Sequence, residues 1–192
     1  AYDWRDAILS PEHARAYLVG FNKLIPLKEA QSILIKAEMT QQQESINILV
    51  RYLGTSGSLN WGGHGVVRHG FSNFGQMLGP GIGPSSNSQT LEISWLDKAN
   101  KIGTRMERIN RHQDYFIANF PKPTQAGRWV DYSITFLGEL ITRRFVINPQ
   151  ITVVKSLNQL WLPVPGSTPD FPFGDRPFSF QGQLGLVYRF SL

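Results

Sequence analysis

The residues best equipped for chemistry lie in one polar segment and two tryptophan-bearing loops. In 107–115, Glu107, Arg108, His112, Asp114 and Tyr115 stand among Asn110, Arg111 and Gln113. Carboxylate, guanidinium and amide groups hydrogen-bond sugar hydroxyls, and a ring stacks on a sugar face, so the segment reads either as a carbohydrate contact or as a solvated loop. Trp61, in Asn60-Trp61-Gly62, and Trp161, in the proline-rich stretch 157–177, are sugar-stacking candidates, with a girdle aromatic at a strand end as the competing reading. Catalytic and metal constellations are poorly represented. His64 and His69 are five apart, which places them on opposite faces of a strand instead of around one metal. Asp131 and Glu139 share a strand face but lie about 27 Å apart at the usual rise, too far for paired-carboxylate hydrolysis. The glycines at 79, 81 and 83 suggest a phosphate loop, yet no Gly-Lys-Ser/Thr follows and the next segment alternates as a strand, so a turn needing positive φ is the simpler reading. Neither GxSxG nor HExxH is present. A non-enzymatic role without cofactor or metal is expected.

What must position these residues is a set of strands. Period-two alternation runs through much of the chain. In the C-terminal stretch Phe178, Phe180, Gly182, Leu184, Leu186, Tyr188 and Phe190 oppose Ser179, Gln181, Gln183, Gly185, Val187, Arg189 and Ser191. Val130, Tyr132, Ile134, Phe136, Gly138 and Leu140 oppose Trp129, Asp131, Ser133, Thr135, Leu137 and Glu139. Residues 145–156, 33–40 and 89–96 repeat the pattern, and 14–24 and 101–109 are weaker candidates. Pro149 predicts a bulge or distortion within its strand. Apolar against polar over about ten residues is the signature of a transmembrane β-barrel, with a soluble β-sandwich or lipocalin-like barrel as the alternative. The expectation is an all-β chain: an antiparallel transmembrane β-barrel, or the C-terminal arc of a larger one, forming a single unit over 1–192 with about eight or nine strands.

Short links fall at 25–29, 97–100 and 142–144, and longer ones at 54–65, 110–128 and 157–177. The first short turn is expected to face opposite to the other two unless a further strand lies between residues 46 and 70. The chain has 192 residues, 18 glycines, 12 prolines and no cysteine, so breakers and rings favour β-structure and a disulfide scaffold is excluded. With 41% hydrophobic and 17% charged residues it is too apolar for disorder. The net charge of +5 is spread over both faces and turns, which disfavours nucleic acid and suits acidic polysaccharide or lipopolysaccharide phosphate. The opening Ala1-Tyr2-Asp3-Trp4 has neither a signal-peptide pattern nor an initiating Met, so a processed, truncated or partial chain is expected.

Residues 64–89 carry Arg68-His69-Gly70, Asn73, Gly75-Gln76, Leu78-Gly79, Gly81-Ile82-Gly83-Pro84 and Ser86-Asn87-Ser88-Gln89. With Glu107-Arg108, Asp114, Trp129-Val130-Asp131 and the closing Leu184-Gly185-Leu186-Val187-Tyr188-Arg189-Phe190, this series resembles the Wzi-type capsule-assembly proteins of Gram-negative outer membranes. The resemblance extends over most of 13–190, is densest at 64–115, and matches the C-terminal portion of longer family members. It implies an outer-membrane barrel that associates with capsular or other surface polysaccharide and has no catalytic residues. Its implied partners are outer-membrane lipid, the glycan, and a missing N-terminal barrel portion or another envelope protein. It also implies a polar plug or constriction built from Arg68, His69, Asn73, Gln76, Asn87 and Gln89. A pore or structural barrel subunit and a soluble barrel holding a small apolar ligand are the alternatives.

Overall fold

The computed structural model describes residues 16–43, 72–73, 76–77, 81–119, 127–162, 164–166 and 174–190. The chain is all-β, with one antiparallel sheet of seven strands and very little helix. The sheet comprises β1 (Tyr17–Pro26), β2 (Gln31–Gln41), β5 (Asn87–Asp97), β6 (Asn100–Asn110), β7 (Val130–Ile141), β8 (Phe145–Leu157) and β9 (Phe178–Tyr188), hydrogen-bonded in that order. A separate hairpin, β3 (Ser72–Asn73) and β4 (Gln76–Met77), pairs Asn73 with Gln76. The sheet is open: β1 and β9 are its two edges. The strands expected from alternation are all present, and the two weaker candidates form β1 and β6.

The register shows how the two faces are made. In an antiparallel pair directly opposed residues share a face. Ile35 opposes Ile93, which opposes Thr104, and Thr104 opposes Phe136, which opposes Ile151. The adjacent row on the other face runs Asn22, Lys36, Glu92, Arg105, Thr135, Thr152, Gln181. Burial is the reverse of a water-soluble domain. The apolar face is open, with Ile93, Phe136, Phe180 and Leu184 exposed by 48%, 55%, 68% and 70%. On the polar face Thr40, Ser88, Glu92, Ser94, Asp131, Thr135 and Ser156 are buried. Leu18, Leu24 and Val187 break the rule on the polar face, and all three lie on the edge strands, where one neighbour is absent.

Two expectations need correction. All three short turns lie at one end of the sheet and all three long connections at the other, because β2 pairs directly with β5. Parity therefore holds with seven strands and needs no additional strand in this sheet; residues 46–70 lie outside the described residues. Segment 110–128 is not wholly loop, since it contains the helix α1 (Gln113–Asn119). At Pro149 the expected distortion takes the form of an interruption. The β7–β8 ladder breaks between Leu137↔Gln150 and Leu140↔Ile147, but the register is the same on both sides, so there is no bulge. A Cβ on Gly138 would stand 3.1 Å from Pro149 Cγ. This bare position opens an apolar groove of about 510 Å³ among Trp95, Ile102, Phe136, Gly138, Pro149 and Ile151.

Candidate functional site

The long-connection end of the sheet carries the candidate site. Past β6 the chain turns sharply at His112, whose φ is 45°, and enters α1 with Asp114 in the first turn, where a carboxylate suits the helix dipole. The loop 81–86 lies alongside. His112 N–H donates to Ser86 Oγ at 3.1 Å, and Gln113 N–H donates to the Ser85 carbonyl at 2.9 Å. The His112 ring meets the Pro84 carbonyl through Nδ1 at 3.2 Å; a carbonyl can only accept, so Nδ1 carries the proton. Gly83, at φ 91°, allows this approach: a Cβ there would stand 3.1 Å from His112 Cε1.

Asp131 fixes the next layer. Its Oδ1 accepts from Trp129 Nε1 at 2.9 Å and Ser156 Oγ at 2.7 Å, and its Oδ2 accepts from Arg111 Nε at 2.9 Å. Arg111 also donates to the Ile82 carbonyl at 3.0 Å. One carboxylate thus ties the 81–86 loop, the end of β6 and strands β7 and β8 together.

An aromatic cluster sits on this base. Trp161 meets Trp129 edge-on at 5.8 Å between centroids, Phe116 in a stacked arrangement at 6.1 Å, Tyr115 at 5.4 Å and the His112 ring at 6.5 Å. Trp161 reaches it from a single 3-10 turn, Gln159–Trp161, in which Asn158, Leu160 and Trp161 all adopt positive φ. Among the described residues seven non-glycine residues have positive φ. Glu29 and Lys98 belong to short turns, whereas Ser85, His112, Asn158, Leu160 and Trp161 surround this cluster. Backbone strain of that kind persists only where packing over-determines it, and it concentrates at functional sites. At the same end Gln42 Oε1, Ser85 Oγ, Asn110 Oδ1 and Gln113 Oε1 are buried without a hydrogen-bond partner.

Of the carbohydrate candidates, His112, Tyr115 and Trp161 come together, with Asp114 buried beside them and Tyr115 exposed by 47%. Glu107 and Arg108 do not join them as a pair, because consecutive strand residues face opposite ways: Glu107 accepts from Thr90 Oγ1 at 3.4 Å, and Arg108 donates to Gln89 at 2.8 Å. Gln89 shares the open face with Leu91 and Ile93. Asn87 caps the start of β5, accepting from the Gln42 and Gln43 amides at 3.2 Å and donating to Gln43 Oε1 at 2.9 Å. Asn73 and Gln76 lie in the β3–β4 hairpin, while Trp61, Arg68 and His69, like His64, lie outside the described residues. Among the described residues no group of three or more metal-binding side chains gathers. Sequence reasoning missed Arg111, Phe116 and Ser156 as site residues, saw Trp129 only in a strand and a motif, and weighed Asp131 with Glu139 as a carboxylate pair without finding its role in this site.

His112 gives the site a pH response. Burial pushes it below its usual 6.5, with the Arg111 charge adding to the effect and the Pro84 hydrogen bond opposing it. A histidine lowered by folding stabilises the native state above its unfolded value, and that contribution is lost as pH falls towards the native value. Tryptophan fluorescence should therefore report loosening of the cluster as pH drops below 6.5, and His112→Gln should flatten the response. A curve identical in the variant would refute the assignment. In comparisons with known proteins, no family model matches this chain, and neither a curated protein nor a solved structure does.

Proposed function

We propose that this chain is a non-catalytic outer-membrane β-barrel, or an arc of one, of the Wzi-like type, which retains surface polysaccharide at the cell surface of a Gram-negative bacterium. The observation that carries the reading is the inverted burial: strands of 10–13 residues expose Ile, Leu, Phe and Trp on one face and bury Ser, Thr, Glu and Asp on the other. Such a sheet matches a lipid exterior and a polar interior. Unpaired edges in hydrocarbon cost several kcal/mol per exposed group, so β1 and β9 must pair with each other or with further strands of the assembly.

Polysaccharide binding is supported by the ring cluster at the long-connection end, with Tyr115 exposed by 47%, and by the strained backbone beneath it. Many weak contacts along a repeating polymer then add through effective concentration. A second reading, a pore or structural subunit, is favoured by the row Lys36, Glu92, Arg105, which alternates in sign across the polar face. Single-channel conductance separates the two.

Expression of residues 1–192, detergent partitioning and heat-modifiable migration test the barrel. Folding in plain buffer would overturn it. Tyr115→Ala should weaken retention of acidic capsular polysaccharide about tenfold with heat-modifiable migration intact. Undiminished retention in this variant and in Trp161→Ala would remove the cluster from glycan binding.

A further inference from the structure

The open face of the sheet is not apolar throughout. Directly opposed residues share a face, and so do residues two apart along a strand. Near the long-connection end one row across this face runs Gln89, Arg108, Tyr132, Lys155, Phe178. The next row towards the middle of the sheet runs Leu91, Met106, Ile134, Val153, Phe180. Arg108 and Lys155 thus stand on either side of Tyr132, with roughly 10 Å between their backbones at two interstrand spacings. Met106, Ile134 and Val153 lie two residues further along the same three strands and face the same way.

The two cations lack a counter-charge. Arg108 donates to the neutral Gln89 Oε1 at 2.8 Å, and Lys155 Nζ donates to the Arg176 carbonyl at 2.5 Å. Among the described residues neither makes an ion pair, and the only acid that the seven strands place on this face is Asp97, at the short-turn end. Both cations keep unused N–H donors, and the exposed Tyr132 hydroxyl lies between them. Each sits two residues from the end of its strand, about 7 Å. From that depth a long side chain reaches a membrane's headgroups while its stem stays on apolar surface, and tyrosine is favoured at the same level.

We propose that this row holds the phosphate of an anionic lipid, with Arg108 and Lys155 closing on it from either side of Tyr132 and an acyl chain lying over Met106, Ile134 and Val153. Headgroup and chain then occupy successive rows of one face. A phosphate suits the row better than a carboxylate, because it offers more acceptor oxygens to three donors carried on three adjacent strands. The assignment rests on the membrane reading above and is independent of the ring cluster. Arg143 and Arg144, exposed in the β7–β8 turn at the other end of the sheet, provide the control for diffuse charge.

The test is insertion of the full chain into phosphatidylcholine vesicles, with its preference for spin-labelled phosphatidic acid over spin-labelled phosphatidylcholine as the readout. Wild type should prefer phosphatidic acid, and Arg108→Gln with Lys155→Gln should lower that preference about tenfold. Arg143→Gln with Arg144→Gln removes the same charge from the short-turn end and should leave it near wild type. Tyr132→Phe keeps every charge and should lower it about threefold. Equal losses in the two charge variants would mean diffuse attraction and overturn the site, as would an unchanged preference in Arg108→Gln with Lys155→Gln. Should that variant not insert, Tyr132→Phe decides, and an unchanged preference there overturns the site. Lost retention of acidic polysaccharide at unchanged lipid preference would give the row to the glycan instead. Insertion of wild type without a phosphatidic acid preference would sink the site alone, whereas failure to insert at all would sink the membrane reading together with it.

Discussion

Glu92→Ala should lower stability by about 3 kcal/mol. Glu92 is 3% exposed and takes four hydrogen bonds: Lys101 Nζ at 2.6 Å and Ser94 Oγ at 3.1 Å on one oxygen, Arg105 Nε at 3.0 Å and Nη2 at 2.8 Å on the other. Lys36 opposes it from β2. Removing the carboxylate leaves three cations around one gap. The loss stays below the upper range for a buried pair because the Lys101 and Arg105 side chains remain 21% and 43% exposed and can turn to water. Glu92→Gln, which keeps shape and two acceptor lone pairs, should lose roughly half as much. Denaturant midpoints of the refolded protein measure both. Equal midpoints for wild type and Glu92→Ala would show that the network adds nothing.

Asp131→Ala should cost about as much, roughly 3 kcal/mol, and should in addition abolish glycan retention. Its three side-chain donors come from three separate places: Arg111 beyond β6, Trp129 before β7 and Ser156 in β8. Alanine strands all three at once. Trp129 then loses the bond that fixes its ring against Trp161. Asp131→Asn can keep one acceptor but must turn an amide towards another donor, so an intermediate loss is expected. The two readouts separate the roles. A stability loss with full retention would mean that the carboxylate supports the sheet and not the ring cluster.

Strand faces were legible in the sequence wherever large apolar residues alternate with short polar ones, as in 130–140 and 178–188. Strands β1 and β6 were weaker because Leu18 and Leu24 stand on the polar face of one, and because Gly103, Thr104 and Arg108 dilute the alternation of the other. Helix α1 left no trace, since seven residues make barely two turns and carry no periodicity. Of the site, His112 and Tyr115 share one segment and were found together. Trp161 was found alone, because only the positive φ values at Asn158 and Leu160 turn it back towards them. Arg111 and Ser156 were invisible as partners of Asp131, since that contact follows from the pairing of β6, β7 and β8 and from no local pattern.

The direct pairing of β2 with β5 has a kinetic meaning. Every other junction in the sheet joins strands that follow one another along the described chain, and three of those junctions close over tight turns. Hairpin formation is fast when the ends are near in sequence, and loop-closure entropy slows pairing across a long connection. The span from Gln41 to Asn87 is the longest that any ladder must close. Assembly is thus set to proceed in two bodies, with β5 to β9 zipping as a continuous meander and the β1–β2 hairpin joining it last. Until it does, the β5 edge is the nucleus's unsatisfied boundary, and the lifetime of that intermediate is governed by how quickly one long tether finds its end.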